Sequence, residues 1–204
     1  MLIEFYYDLF CPWCRIGYHN LTGAIDRWHA QGGEPVRLTY RAYQLDPKLP
    51  PEGMPFRHAA HGEAAQALSQ VAAAGAAAGL SLRFDLMTRM PNTRLAHRFV
   101  ALLPEPLKPK AIDALFRAVF EEGRDIAAIG EIEAIAALAE AEAADVLEAL
   151  KRGEGEDIVA ADMTRAARLG IQGGPLFIFG GRFALSGAYP PVKLVQAISR
   201  AAQA

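Results

Sequence analysis

Residues 2–14 read LIEFYYDLFCPWC, an apolar and aromatic run typical of a buried strand followed by a Cys-x-x-Cys motif. Pro12 favours a helix that begins there, because a first-turn residue needs no backbone N–H. The unpaired N–H groups and the positive dipole end of that helix favour a thiolate at Cys11. Cys14 lies one helical turn further on, within reach of a mixed disulfide on Cys11. The stretch therefore predicts a redox-active dithiol at the start of a helix.

Length and composition indicate a soluble globular protein. The 204 residues suffice for one domain, or for one domain with a large insertion. The net charge of −2 and the absence of a basic run give no reason to expect nucleic acid or a membrane surface as a partner. The N-terminus has neither the basic nor the long apolar region of a signal peptide, and no charge-free apolar segment is long enough to span a bilayer. We therefore expect a cytoplasmic protein, whose cysteines are kept reduced.

The N-terminal third has the pattern of a strand–helix–strand unit. The helix is expected to run from Pro12 to about Ala30, before Gly32 and Gly33. Residues 36–43 then alternate apolar and polar side chains, which is the two-residue period of a strand. The connection between two parallel strands of this kind is right-handed by default.

A long helical block and a return of strand character follow. Residues 46–169 open with a proline-rich connection at 47–55, carry helix-starting signals such as Pro109 and are expected to be helical throughout. Short apolar runs at 176–179 and 182–185 flank Gly180-Gly181, which is a two-residue hairpin signal. The chain therefore returns to a sheet near its C-terminal end.

The order of these elements predicts the fold. A final helix is expected to begin at Pro190-Pro191. Strand–helix–strand, helical block, hairpin and helix together predict an α/β protein with a thioredoxin-like fold and a large inserted helical domain. The predicted core is discontinuous, formed by residues 1–45 and 170–204, and residues 46–169 form the predicted insertion.

A second motif, Gly173-Gly174-Pro175, stands directly before the hairpin. In a thioredoxin-like core this turn faces the Cys-x-x-Cys motif, and its proline is expected to be cis. Its backbone groups are then placed to pair with an extended substrate beside Cys11. The alternative is an ordinary Gly-Pro strand entry; beside the cysteine motif we favour the cis-proline loop.

The cysteine pair has two other interpretations. Half of a zinc site would need two more ligands, but the chain has no other cysteine and its five histidines are scattered. We therefore predict no metal site. A purely structural disulfide is equally disfavoured, because so short a loop constrains little of the unfolded chain.

Three neighbouring residues have alternative roles. Trp13 is expected to be exposed between the cysteines as an apolar contact for substrates, the alternative being a side chain folded onto the helix. Asp8 either tunes the thiol or only ends the strand. Asn92 is expected to be an N-cap, with lining of the substrate groove as its alternative role.

Four ordered blocks resemble the DsbA-like thioredoxin proteins of the FrnE type: FYYDLFCPWCRIG, MPNTRLAHRF, LFRAVFEEGRDI and LGIQGGPLFIFGGRFALSGAYPP. The resemblance covers nearly the whole chain and implies a dithiol–disulfide oxidoreductase with a helical insertion. It implies that Cys11 is the nucleophile, Cys14 the resolving thiol and Pro175 the cis-proline. One departure is Gly174, where these proteins often have Val or Thr. The missing side chain is expected to loosen the loop and expose its backbone.

Three functions compete at this point. The leading one is a thiol–disulfide oxidoreductase acting on protein or small-molecule disulfides, with no metal or organic cofactor and with glutathione as a candidate co-substrate. The second is a glutathione-dependent isomerase or transferase of the 2-hydroxychromene-2-carboxylate isomerase type, which generally has Ser where Cys11 stands. The third is a peptide-binding module in which the groove matters and the thiols do not. The direction of electron flow and the oligomeric state are left open by the sequence.

Overall fold

The computed structural model describes residues 1–58, 61–138 and 143–203. The strands in these ranges are β1 Leu2–Tyr7, β2 Arg37–Ala42, β3 Met54–Pro55, β4 Arg89–Met90, β5 Leu176–Phe179 and β6 Phe183–Ser186. The helices are α1 Pro12–Ala30, α2 Gly62–Ala77, α3 Arg94–Leu102, α4 Lys108–Phe120, α5 Ile129–Leu138, α6 Ala143–Lys151, α7 Glu156–Arg168 and α8 Pro191–Ala202. The main sheet is built from the two ends of the chain, and the predicted α/β fold is confirmed.

The main sheet has the strand order β2-β1-β5-β6, which places β1 inside the sheet. β2 is parallel to β1, with Tyr40 opposite Phe5, whereas β5 is antiparallel to it. The ring of Phe5 stacks on Phe177 of β5 at 5.1 Å and on Tyr18 of α1 at 5.8 Å. These contacts bury the aromatic run that the sequence marks as a strand, and they anchor the point where the chain leaves β1 for the cysteine motif.

The β5–β6 hairpin turns at Gly180 and Gly181, whose φ angles of 58° and 70° lie in the left-handed region. The Arg182 N–H donates to the Phe179 carbonyl at 3.0 Å and completes a β-turn. Because Arg182 belongs to this turn, β6 begins at Phe183, one residue later than predicted.

The helical block contains a short ribbon that the sequence does not predict. β3 and β4 pair antiparallel, with Met54 opposite Met90, and the Phe56 N–H donates to the Thr88 carbonyl at 2.8 Å. The proline-rich connection before β3 cannot continue a helix, so its backbone groups are satisfied by pairing instead. The prediction that residues 46–169 are helical throughout is therefore wrong at this ribbon.

The start of α3 also differs by one residue from the prediction. Thr93, not Asn92, is the N-cap residue. Asn92 Oδ1 nevertheless accepts the Arg94 N–H at 2.9 Å and so satisfies one of the unpaired N–H groups of the first turn. The Asn92 amide further accepts from Gln44 at 3.0 Å and donates to the Leu49 carbonyl at 2.6 Å. Its polar atoms thus tie the start of α3 to the chain after β2.

One hydrophobic core joins the sheet to the helical block. The ring of Phe116 in α4 lies 6.0 Å from that of Tyr7 and 5.9 Å from that of Tyr18. The Tyr18 hydroxyl, in turn, donates to the Pro109 carbonyl at 3.0 Å. Helix α1 is therefore held from the side of the helical block as well as by the sheet.

Candidate active site

Cys11 is the N-cap residue of α1 and has an extended backbone, with φ −103° and ψ 109°. The Cys14 N–H donates to Cys11 Sγ at 3.3 Å, so an N–H of the first helical turn points at the sulfur. The Cys11 N–H itself donates to the Asp8 carbonyl at 3.1 Å and holds the residue in place. A thiolate here gains both a hydrogen bond and the positive end of the helix dipole.

Both cysteines are buried free thiols, but Cys14 lies deeper than Cys11, which is 3% exposed. The Cys14 side chain is fully buried. Burial raises the pKa of the Cys14 thiol well above its ordinary value, and the hydrogen bond and charge of Cys11 raise it further. A backbone hydrogen bond from Asp8 acts in the opposite direction. Cys14 is therefore a protonated, inaccessible thiol at neutral pH, which suits a second reactant better than a first one.

The loop before β5 lies against the start of α1. Its Gly174–Pro175 peptide bond is cis, and the Cys11 thiol donates to the Gly174 carbonyl at 3.5 Å. Pro175 packs on the helix one turn after the cysteines: a Cβ at Gly17 would lie 2.7 Å from Pro175 Cγ. Helix and loop therefore approach so closely that a side chain at Gly17 would force one of them to shift.

Gly174 is in contact with the second cysteine. A Cβ at Gly174 would lie 2.6 Å from Cys14 Sγ and 3.5 Å from the Tyr6 carbonyl oxygen. The space that a Val or Thr side chain would need is thus occupied by the Cys14 sulfur, and the missing side chain does not leave the loop loosely packed at this point.

Comparison with known proteins identifies the family. Residues 2–199 match the model of the DSBA-like thioredoxin domain. The chain belongs to this family. Among solved structures, a probable DsbA oxidoreductase from Streptomyces coelicolor is 28% identical, with a TM-score of 0.85 over 98% of this chain and 89% of that one.

Two more solved structures resemble this DsbA-like chain in fold alone. A 2-hydroxychromene-2-carboxylate isomerase is 14% identical, with a TM-score of 0.76 over 98% of this chain and 95% of its own. The cytosolic disulfide reductase DsbM from Pseudomonas aeruginosa, solved with GSH, is 17% identical, with a TM-score of 0.72 over 100% of both chains. No curated protein is significantly similar in sequence.

Other predicted residues of this DsbA-like site occupy distinct environments. Trp13 is 40% exposed, whereas the Pro12 ring beside it is only partly exposed in the first turn. Asp8 is buried and does more than end the strand, because its carboxylate accepts the Phe10 N–H at 3.1 Å and the Leu45 N–H at 2.7 Å. It thereby links the cysteine loop to the segment after β2.

Two residues that the sequence analysis did not single out also shape the site. Arg15, next to Cys14, is buried and donates to Asp113 of α4 at 2.6 Å and to Glu121 at 2.6 Å. Its partners are about a hundred residues away in the chain, so no local pattern reveals them. Gly17 could have been noticed, because a glycine inside a helix costs about 1 kcal/mol against alanine and needs a packing reason.

In residues 1–58, 61–138 and 143–203, no helix is both long and apolar enough to cross a membrane. The same ranges contain no group of three or more His, Cys, Asp or Glu side chains placed to hold a metal ion. Arg15, the charged residue next to Cys14, forms an ion pair with Asp113.

Proposed function

We propose that the protein is a dithiol–disulfide oxidoreductase in which Cys11 attacks a substrate disulfide and Cys14 resolves the mixed disulfide. The observation that carries this proposal is the position of Cys11 Sγ, which lies between the Cys14 N–H at 3.3 Å and the Gly174 carbonyl at 3.5 Å. The N–H supports the attacking thiolate, and the loop carbonyl marks the backbone beside which an extended substrate would lie.

The chemistry proceeds in two exchanges. The Cys11 thiolate attacks one sulfur of a substrate disulfide; a Cys11–substrate S–S bond forms, and the other substrate sulfur leaves as a thiolate that takes up a proton. Cys14 then gives up its proton and attacks Cys11 Sγ. The Cys11–Cys14 bond forms and the second substrate thiolate leaves. The substrate gains two electrons and the protein dithiol loses two; the reverse sequence oxidises a substrate dithiol.

The surroundings of Cys11 favour protein as well as small disulfides as substrates. Trp13, which is 40% exposed, offers an apolar contact next to the nucleophile. We further propose glutathione as the small-molecule partner and the cytoplasm as the compartment. The support is the fold shared with DsbM, a cytosolic disulfide reductase solved with GSH.

The test is the reduction potential of the Cys11–Cys14 pair, measured by equilibration in graded glutathione buffers and trapping of free thiols. We expect a reversible two-electron transition in the range of roughly −270 to −120 mV known for related dithiols. Cys14→Ser should accumulate a mixed disulfide with glutathione, while Cys11→Ser should form none. Failure of the wild-type chain to form an internal disulfide at any buffer ratio contradicts the proposal. Isomerase turnover that survives in Cys14→Ser would then favour the glutathione-dependent isomerase.

A further inference from the structure

His97 of α3 is a buried side chain whose polar atoms are not used. It is 1% exposed, and neither Nδ1 nor Nε2 has a hydrogen-bond partner among the residues that the structure describes. Buried polar groups are nearly always paired, and an unpaired one costs about 1–3 kcal/mol. The two unpaired nitrogens of His97 therefore need an explanation.

The first neighbour of His97 is Asp8. His97 Nε2 lies 3.8 Å from Asp8 Oδ1, which is too far for a hydrogen bond but within the range of an ion pair. The backbone N–H groups of Phe10 and Leu45 both donate to the Asp8 carboxylate and hold it in place. Asp8 also interacts with Cys14 through its backbone and its charge. Asp8 is thus a neighbour of both His97 and the buried Cys14 thiol.

The second neighbour is a polar cavity of about 130 Å³ that His97 lines together with Tyr7. This volume is enough for several water molecules. The other titratable or charged side chains that line it are Tyr40 and Arg41 of β2, Glu105, Lys108 of α4 and Asp162 of α7. The cavity is partly open to solvent, and the Glu105 side chain in its lining is 70% exposed.

These charged groups are already paired with one another. Arg41 binds Asp162 at 3.0 Å, and Lys108 binds Glu105 at 2.6 Å. None of them forms an ion pair with His97, so Asp8 is the only carboxylate within 4.0 Å of the ring in the described part of the chain.

We propose that Asp8 and His97 form a proton path that connects the buried Cys14 thiol with the surface cavity. The path rests on the proposed function, since it operates when Cys14 resolves the mixed disulfide. The Cys14 proton moves to the Asp8 carboxylate and then to His97 Nε2, while His97 releases a proton from Nδ1 to water in the cavity. The Cys14 thiolate then forms the S–S bond with Cys11 and expels the substrate thiolate. His97 touches neither sulfur, so it acts as a positioning residue through Asp8.

The experiment is stopped-flow mixing of the reduced protein with excess 5,5′-dithiobis(2-nitrobenzoic acid). Attack by Cys11 releases one coloured thiolate, and resolution by Cys14 releases the second. We expect His97→Gln to slow the second phase by about a hundredfold, the lower end of what a lost proton-transfer group costs, and to leave the first phase unchanged. His19→Gln, which changes an exposed histidine of α1, is the matched control and should leave both phases unchanged.

Further measurements separate proton transfer from a merely structural role. His97→Ala should regain its second phase when imidazole is added, because the cavity admits the small base. In wild-type protein the second phase should be slower in D₂O than in H₂O, and the first phase should not, as expected for a step limited by proton transfer. These wild-type data do not depend on the folding of a variant.

The outcomes are distinct. Equal second-phase rates in His97→Gln and His19→Gln overturn the proton path, as does a slowed phase that neither imidazole nor D₂O affects. If the wild-type protein releases no second thiolate at all, the proposed function itself fails.

Discussion

The contact between Gly174 and Cys14 makes a quantitative prediction for Gly174→Ala. The added methyl group would lie 2.6 Å from Cys14 Sγ, far inside van der Waals contact. The sulfur is fully buried and has a single rotatable bond, and the Tyr6 carbonyl oxygen at 3.5 Å limits movement of the loop. Overpacking of this kind costs about 1–3 kcal/mol. For a chain of this length the cost lowers Tm by roughly 2–12 °C.

The adjacent glycine supplies the control. A Cβ at Gly173 would have no atom within 4 Å. Gly173→Ala should therefore leave the free energy of unfolding unchanged or raise it by up to about 1 kcal/mol, since alanine restricts the unfolded chain. The two variants add the same methyl group to neighbouring residues, so the difference between them measures the contact with the sulfur.

The assay is urea unfolding of the reduced protein, with a double-mutant cycle that identifies the clashing atom. In a Cys14→Ala background the sulfur is absent, and Gly174→Ala should lose most of its cost. The coupling energy between the two positions should be about 1–3 kcal/mol, which lies within the range of roughly 0.5–3 kcal/mol measured for residues in contact. A cost of Gly174→Ala that is the same with and without the sulfur, or that equals the effect of Gly173→Ala, would refute this account of the site.

Three further predictions concern the same helix. Gly17→Ala should destabilise the protein by about 1–3 kcal/mol in thermal unfolding, because the new Cβ would lie 2.7 Å from Pro175 Cγ. Gly23→Ala is the control: its Cβ would have no atom within 4 Å, so it should stabilise α1 by up to about 1 kcal/mol. Burial raises the pKa of the Cys14 thiol above that of an unfolded cysteine, which is about 8.5. The contribution of Cys14 to the stability of the reduced protein is therefore complete below that pH and is lost as the pH rises above it. Urea unfolding at a series of pH values should show this loss of stability, and the loss should be smaller in Cys14→Ala. Trp13→Ala should change stability by less than about 0.5 kcal/mol but raise KM for apolar peptide disulfides more than for glutathione disulfide.

Local patterns in the sequence predict much of the fold because the elements next to the cysteines are encoded locally. The strand at 2–7, the helix from Pro12 and the hairpin at Gly180-Gly181 each depend on neighbours a few residues away. The predicted start of the second hairpin strand is wrong by one residue, because Arg182 belongs to the β-turn and not to the strand.

Contacts between distant parts of the chain account for what the sequence could not predict. The burial of Arg15 depends on Asp113 and Glu121, and the environment of His97 depends on Asp8 at the end of β1. A basic residue on a helix is most often a solvated one, and nothing beside Arg15 in the sequence indicates otherwise.

The same contacts explain how the helical block takes part in the site. Helix α1 carries both cysteines and is held from two sides: by the loop at Pro175, which packs against Gly17, and by α4, through the ion pair of Arg15 with Asp113. The separation between Cys11 Sγ and the Gly174 carbonyl is set by the position of α1 relative to that loop. Because α4 fixes the helix from the other side, the position of Cys11 depends on the helical block as well as on the sheet.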